Sequence, residues 1–386
     1  MKNPIGVSRR SFVKRAVAGT VGLIGGGALT RPKNLLALIH SSQEATPALE
    51  FRTLGRTEMK FTSLGFGAMR TTDPAVIRRA VDKGVNYVDT ARGYMGGRNE
   101  EIVGQAIGDV RKQIHISTKI KAGRRAGMES DVEASLRALG TDYVDILMLH
   151  GLRSRNDLHN EDALAVLEAA KKSGKTRAVG FSVHGNMAAL LREAAEMQFY
   201  DMVLSAYNFT HDQDVTTAIE EATKAGIGVV AMKTQAGGYK EKSMGNLNPH
   251  QAALKWVLSN PNVTSTIPSM VSFQQVEENV QVMGSDFGWL DRKTLHRYGE
   301  AVNSKLCRFC DTCLSQCPFG VKVSDINRSV MYADGYGDEV LARENYQSID
   351  PACNASRCAD CDECVVQCRY GVNVAANLKR ATEVFA

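Results

Sequence analysis

All nine cysteines of this 386-residue chain fall between Cys307 and Cys368. Eight of them form two runs of one spacing, C-x2-C-x2-C-x3-C: Cys307, Cys310, Cys313 and Cys317, then Cys358, Cys361, Cys364 and Cys368. Spacing this close lets three thiolates of one loop take three irons of a cube, while the fourth opens the next element. Zinc sites more often use two separated pairs, and disulfides are a further competing use of cysteine. Cys353 belongs to neither run and is either a spare thiol or a replacement for Cys358. A second group lies far upstream: Asp89, Tyr94, Lys119 and His150. A phenol beside an ammonium held by a carboxylate can give a proton to an oxygen that gains negative charge, and an imidazole can orient that oxygen.

The elements that must position the second group alternate regularly. Strand-like apolar runs fall at Thr62–Gly67, Val85–Asp89, Ile114–Lys119, Tyr143–His150, Arg177–Phe181, Met202–Ala206, Ile227–Met232 and Thr264–Pro268. Helical spacing fills the gaps at Pro74–Lys83, Glu129–Leu139, Glu161–Ser173, Met187–Met197, Asp214–Ala225 and Pro249–Ser259. Gly84, Gly140, Gly174 and Gly226 close four of these helices. Such alternation predicts an α/β fold, a (β/α)8 TIM barrel, whose reactive groups gather at the C-terminal strand ends. Asp89, Lys119 and His150 end three successive predicted strands, with Tyr94 in the loop after the first. A doubly wound sheet is disfavoured because Gly65-Phe66-Gly67 lacks the third glycine of a dinucleotide fingerprint.

The amino terminus has another purpose. The first 40 residues hold seven Lys or Arg and no acid; without those seven the formal charge of +5 becomes −2, so nothing argues for a nucleic-acid partner. Ser8-Arg9-Arg10-Ser11-Phe12-Val13-Lys14 precedes a short run, Ala16–Leu29, carrying five glycines. The pattern resembles a twin-arginine export signal, which implies the twin-arginine machinery as a partner and a periplasmic location. Retention through an uncleaved signal is the alternative. The predicted organisation is a signal at 1–40, a linker at 41–50, a barrel at 51–290 and a cysteine domain at 291–386.

Val85–Tyr94, VNYVDTARGY, with Asn99–Gly104, NEEIVG, resembles the aldo-keto reductase signature, and Ser117–Lys119 and Asp145–His150 continue the likeness. The resemblance implies hydride transfer between NAD(P)H and a small carbonyl or alcohol, with Tyr94 as proton donor. Lys119 would lower the phenol's pKa, Asp89 would hold Lys119, and His150 would orient the carbonyl. It also implies nucleotide contacts from Ser182, Met232, Ser269, Gln275, Glu278 and Asn279. Here the chain departs from the family: Val183 and Leu204 stand where Asn and Gln are usual, and Met232 replaces an aromatic ring. Ser269 and Gln275 replace the basic residues that grip a 2′-phosphate, which puts a preference for NADPH in doubt.

The cysteine runs resemble a bacterial two-cluster ferredoxin. That resemblance implies two [4Fe–4S] clusters: one on Cys307, Cys310, Cys313 and Cys368, the other on Cys358, Cys361, Cys364 and Cys317. Arg369 stands where a proline is usual, and a polar insertion at Asp334–Asn345 separates the runs. Clusters that carry single electrons imply a redox partner protein. The competing functional reading is an electron-transfer protein on a barrel scaffold with little or no nicotinamide chemistry. His150, His184 and His211 follow successive strands, which raises a minor expectation of a metal at the barrel mouth.

Overall fold

The computed structural model describes residues 49–361 and 363–385. The expected signal at 1–40 and most of the linker lie outside the described residues. No helix among the described residues is long and apolar enough to cross a membrane.

A hairpin opens the described chain: β1 (Phe51–Thr53) pairs antiparallel with β2 (Lys60–Thr62). Eight parallel strands follow in chain order: β3 (Phe66–Gly67), β4 (Tyr87–Asp89), β5 (His115–Ile120), β6 (Val144–Leu152), β7 (Thr176–Val183), β8 (Met202–Ala206), β9 (Gly228–Met232) and β10 (Ser265–Thr266). Bridges from Leu64 to Thr266 and from Gly67 to Ser269 join the first strand to the last and close the sheet. The expected strand Thr62–Gly67 is therefore divided. The Thr62 hydroxyl donates to the Leu64 carbonyl at 2.7 Å, which turns the chain from the hairpin into the barrel.

Alternation along each strand sorts the apolar side chains into two layers. Tyr87, Ile146, Met148, Met202, Leu204 and Val230 fill the barrel interior, closed at one end by Leu54 and Phe61 of the hairpin. Val88, Ile116, Leu147, Leu149, Phe181 and Val229 face the surrounding helices. The hairpin fits that end closely because Gly55 takes a left-handed φ of 47°; a Cβ there would stand 2.3 Å from the Gly228 nitrogen.

The helices Pro74–Asp82, Glu161–Lys172, Met187–Met197, Gln213–Lys224 and Pro249–Leu258 lie where the spacing predicts them, and Arg125–Leu139 begins one turn earlier than expected. Arg98–Ile107 is an additional helix that contains the whole NEEIVG run.

The C-terminal segment carries the helices Trp289–Val302, Val323–Asp334, Glu339–Gln347 and Val374–Phe385. Among the described residues that segment contains no strand, so its likeness to a ferredoxin rests on the cysteine runs. Its core of Tyr298, Val302, Ile326, Val330, Leu378 and Phe385 is continuous with Ala236, Tyr239 and Met244 from a barrel loop. The described residues form one compact unit.

Candidate active site

Three adjacent strands and one turn build the site. Asp89 ends β4, Lys119 lies near the end of β5, and His150 sits on β6 where its pairing with β7 shifts register between Leu149 and Leu152. Such an irregularity re-aims a side chain at a strand end, and Gly151 takes the left-handed φ of 70° this one requires. Tyr94 begins a short turn in which Met95, Gly96 and Gly97 all have positive φ.

The four side chains meet. Lys119 Nζ donates to Asp89 Oδ2 at 2.7 Å, to the Thr90 carbonyl at 2.7 Å and to the Tyr94 hydroxyl at 3.4 Å. Ser117 Oγ donates to the other Asp89 oxygen at 2.7 Å. The Tyr94 and His150 rings stand edge to face, with centroids 5.5 Å apart. Lys119 and Asp89 are 1% and 3% exposed, so their pairing is dry.

Burial sets the electrostatics. It pushes the Asp89 carboxyl up and the Lys119 ammonium down, each opposed by the other's charge. The Tyr94 phenol is raised well above 10, first by burial and then by the charges of Asp89, Tyr332 and Tyr336. The sequence predicts a phenol lowered by Lys119, whereas the net shift runs upward. Asp89 offsets the ammonium at 2.7 Å, and desolvation of the phenolate dominates. His150 is pushed down to about 3 by burial and then by Lys119, Lys121 and Arg328, so it acts as a neutral imidazole.

A cleft of about 770 Å³ opens on this group, within the range of small-molecule sites. Met232, Ser269, Gln275, Glu278 and Asn279 line it together with Asp89, Tyr94 and His150. Ser182 does not: it is fully buried, and its hydroxyl accepts from the Gly151 N–H at 2.8 Å. Val183 packs toward the outer helices and Leu204 into the barrel interior, so neither offers a polar contact. Gln275 Oε1 accepts from the Val271 N–H at 2.7 Å.

No motif announces that the C-terminal segment roofs this cleft. Arg328 and Tyr332 from helix Val323–Asp334, and Tyr336 just beyond it, line the cleft. Lys233 Nζ donates to the Tyr332 hydroxyl at 3.0 Å. Arg70 pairs with Asp338 at 3.1 Å and donates to the Tyr336 carbonyl at 3.0 Å. The polar insertion at Asp334–Asn345 is thus part of the site wall.

His150, His184 and His211 do not come together as a metal site. His211 accepts from the Asn208 N–H at 3.2 Å and lines a different cleft, beside Trp256 and Arg308. Among the described residues, no group of three or more His, Cys, Asp or Glu is arranged to hold a metal ion.

All nine thiols are free. Burial pushes Cys307 up to about 12, with the charges of Cys313, Cys310 and Cys368 acting in the same direction. Burial likewise raises Cys358, followed by Cys317, Cys361 and Cys364. The thiols that act on one another therefore form two interleaved groups of four. Arg369, beside Cys368, reaches Asp212 of a barrel loop at 3.4 Å. The first cysteine loop sits directly on the barrel: a Cβ at Gly185 would lie 2.6 Å from Asp311 Oδ2.

A closed parallel barrel with proton-handling groups at its strand ends is the architecture of an enzyme. A model of the aldo/keto reductase family matches residues 63–250 and stops short of the cysteines. An uncharacterized oxidoreductase of Bacillus subtilis, YqkF, is 25% identical over 279 residues, spanning 60% of this chain and 90% of the relative. L-galactose dehydrogenase of Arabidopsis thaliana is 26% identical over 278 residues, spanning 60% and 87%. Methylglyoxal reductase DkgB of Escherichia coli O157:H7 is 26% identical over 253 residues, spanning 61% and 92%. Among solved structures, the holo form of an aldo-keto reductase from Bacillus halodurans superposes with a TM-score of 0.57 at 23% identity, covering 65% of this chain and 96% of that one. One from Klebsiella pneumoniae in complex with NADPH gives 0.56 at 22%, covering 65% and 95%. The chain is an oxidoreductase whose barrel is similar to the aldo/keto reductases.

Proposed function

We propose that the barrel reduces a small carbonyl compound with hydride from a nicotinamide nucleotide, and that two [4Fe–4S] clusters link this chemistry to a redox partner. The observation that carries the first part is the buried chain Asp89–Lys119–Tyr94 ending beside His150 in one cleft. When bound, the nucleotide supplies the hydride that adds to the carbonyl carbon. Neutral His150 donates a hydrogen bond that orients the carbonyl oxygen. Tyr94 stays protonated until charge develops on that oxygen, then gives its proton. Lys119 stabilises the phenolate left behind, while Asp89 and the Thr90 carbonyl fix its position.

Met232, Ser269, Gln275, Glu278 and Asn279 would hold the nucleotide, and their place in the cleft with Tyr94 supports this. With Ser269 and Gln275 where a 2′-phosphate would need cations, the reading favours NADH. The inert positions of Val183 and Leu204 favour the second reading, an electron-transfer protein with little nicotinamide chemistry.

The donor chemistry and the two interleaved thiol groups support clusters on Cys307, Cys310, Cys313 and Cys368 and on Cys358, Cys361, Cys364 and Cys317. A cube takes one thiolate per iron, so its ligands stand farther apart than those of a single ion. The seating of Asp311 against Gly185 brings the first cysteine loop to the barrel mouth, which suits electron exchange with the site. Export to the periplasm by the twin-arginine route completes the reading and draws on Arg9 and Arg10.

Anaerobic purification tests both parts. About eight irons per chain and a [4Fe–4S] EPR signal on reduction are expected; zinc in their place ends the cluster assignment. NADH should bleach the clusters or reduce an added aldehyde. If neither NADH nor NADPH does either, the second reading replaces the first.

A further inference from the structure

Four polar atoms of residues lining the cleft that holds Tyr94 have no hydrogen-bond partner: His150 Nδ1, His184 Nδ1, His250 Nδ1 and Arg328 Nε. Buried polar groups are nearly always satisfied, so four orphans in one cleft call for a group to satisfy them.

The charge around them says which kind. The charges acting on His150 are Lys119, Lys121 and Arg328; on His184, Arg328, Lys233 and Arg153 act together with His150, itself a neutral imidazole. Every permanent charge among them is a cation. Among the described residues Arg328 has a single acidic contact, Asp325 at 3.3 Å, and Asp325 also pairs with Arg153. Lys233 is engaged by the Tyr332 hydroxyl. The mouth is thus rich in donors and positive charge, and Arg328 shares its one carboxylate.

We infer that Arg328 and His184 form a carboxylate subsite beside the oxygen site of Tyr94 and His150, so that the substrate is an oxo acid. This rests on the carbonyl reduction proposed above and names its substrate class. Arg328 comes from helix Val323–Asp334, outside residues 63–250, so the C-terminal segment selects the substrate as well as carrying the cysteines. A guanidinium offers several N–H donors in a planar fork and suits a carboxylate, whereas neutral His184 adds one donor. The carbonyl of the same molecule then reaches Tyr94 and His150, and the acid is held while hydride and proton are added.

The test uses full-length protein purified anaerobically. Turnover of pyruvate and of succinic semialdehyde is compared with that of their methyl esters, for the unaltered enzyme and for Arg328→Met and Arg328→Lys. In parallel, oxamate is titrated calorimetrically without turnover. The unaltered enzyme should prefer at least one acid to its ester by roughly tenfold to a hundredfold in kcat/KM. Arg328→Met should abolish that preference while sparing the ester, and Arg328→Lys should restore part of it. Oxamate binding should follow the same order. An equal or better rate with esters, or oxamate binding that ignores Arg328, overturns the inference while leaving carbonyl reduction intact. Oxamate binding that depends on Arg328 without turnover of any carbonyl sinks the reduction and keeps the subsite. Should Arg328→Met fail to fold, Arg328→Lys alone decides: an unchanged acid preference and unchanged oxamate affinity refute the site.

Discussion

Replacing Lys119 with methionine isolates the ion pair at the centre of the site. Its ammonium lies 2.7 Å from Asp89 Oδ2, and both groups are almost wholly buried. Methionine keeps the length of the side chain and removes the charge, leaving the Asp89 carboxylate with only the Ser117 hydroxyl at 2.7 Å. Breaking a buried pair in this way costs about 3–5 kcal/mol, a large part of the 5–15 kcal/mol that holds a typical domain together. Removing both charges costs much less, so Lys119→Met with Asp89→Leu should recover most of the loss. The pH dependence has a definite sign. In Lys119→Met the folded Asp89 pKa rises above its unfolded value near 4, so the folded state binds more protons. The variant is then relatively most stable below that value and loses stability as pH rises through the folded pKa. Denaturant unfolding followed by tryptophan fluorescence, read as a shift in midpoint at constant slope, measures both effects. A single variant within about 1 kcal/mol of the parent, a typical value for exposed pairs, would refute the buried ion pair. So would a double variant no more stable than Lys119→Met.

His150 gives a second pH signature: its folded pKa of about 3 lies below the ordinary 6.5, so its contribution is present above 6.5 and lost as pH falls toward 3. His150→Gln should flatten that part of the acid-unfolding curve and also slow reduction by about tenfold or more. Introducing cations by Ser269→Arg with Gln275→Arg should raise affinity for NADPH over NADH by about tenfold or more, measured by nucleotide fluorescence. Cys353→Ser should keep the full iron content, whereas Cys358→Ser should lose about half; the reverse outcome would make Cys353 the ligand. Replacing both Arg9 and Arg10 with lysine should leave the protein in the cytoplasmic fraction on cell fractionation.

The barrel was legible because each strand is a short apolar run bounded by glycine or polar residues, and because Asp89, Lys119 and His150 recur at equivalent strand ends. Their convergence followed from the topology. The hairpin Phe51–Thr62 was not separated from the first barrel strand, since the turn depends on the Thr62 hydroxyl reaching its own chain at Leu64. The net direction of the Tyr94 shift is hidden from the sequence for a related reason. Proximity of Lys119 was foreseeable, but complete burial and the competing charge of Asp89 are properties of the packed site. Arg328, Tyr332 and Tyr336 lay furthest from view. Nothing in local spacing shows that a polar stretch more than 200 residues after Tyr94 folds back over it. The spent hydroxyl of Ser182 is similar: only the bend at Gly151 places an N–H against it.

Tyr94→Phe is the most direct trial of the central claim, because it removes one hydroxyl from a ring that its neighbours continue to hold. Aldehyde or oxo-acid reduction by NADH is followed anaerobically beside nucleotide binding in the same preparation. Reduction should fall by about two to four orders of magnitude while the dissociation constant for NADH stays within about twofold. Turnover close to that of the parent enzyme would show that the proton comes from elsewhere.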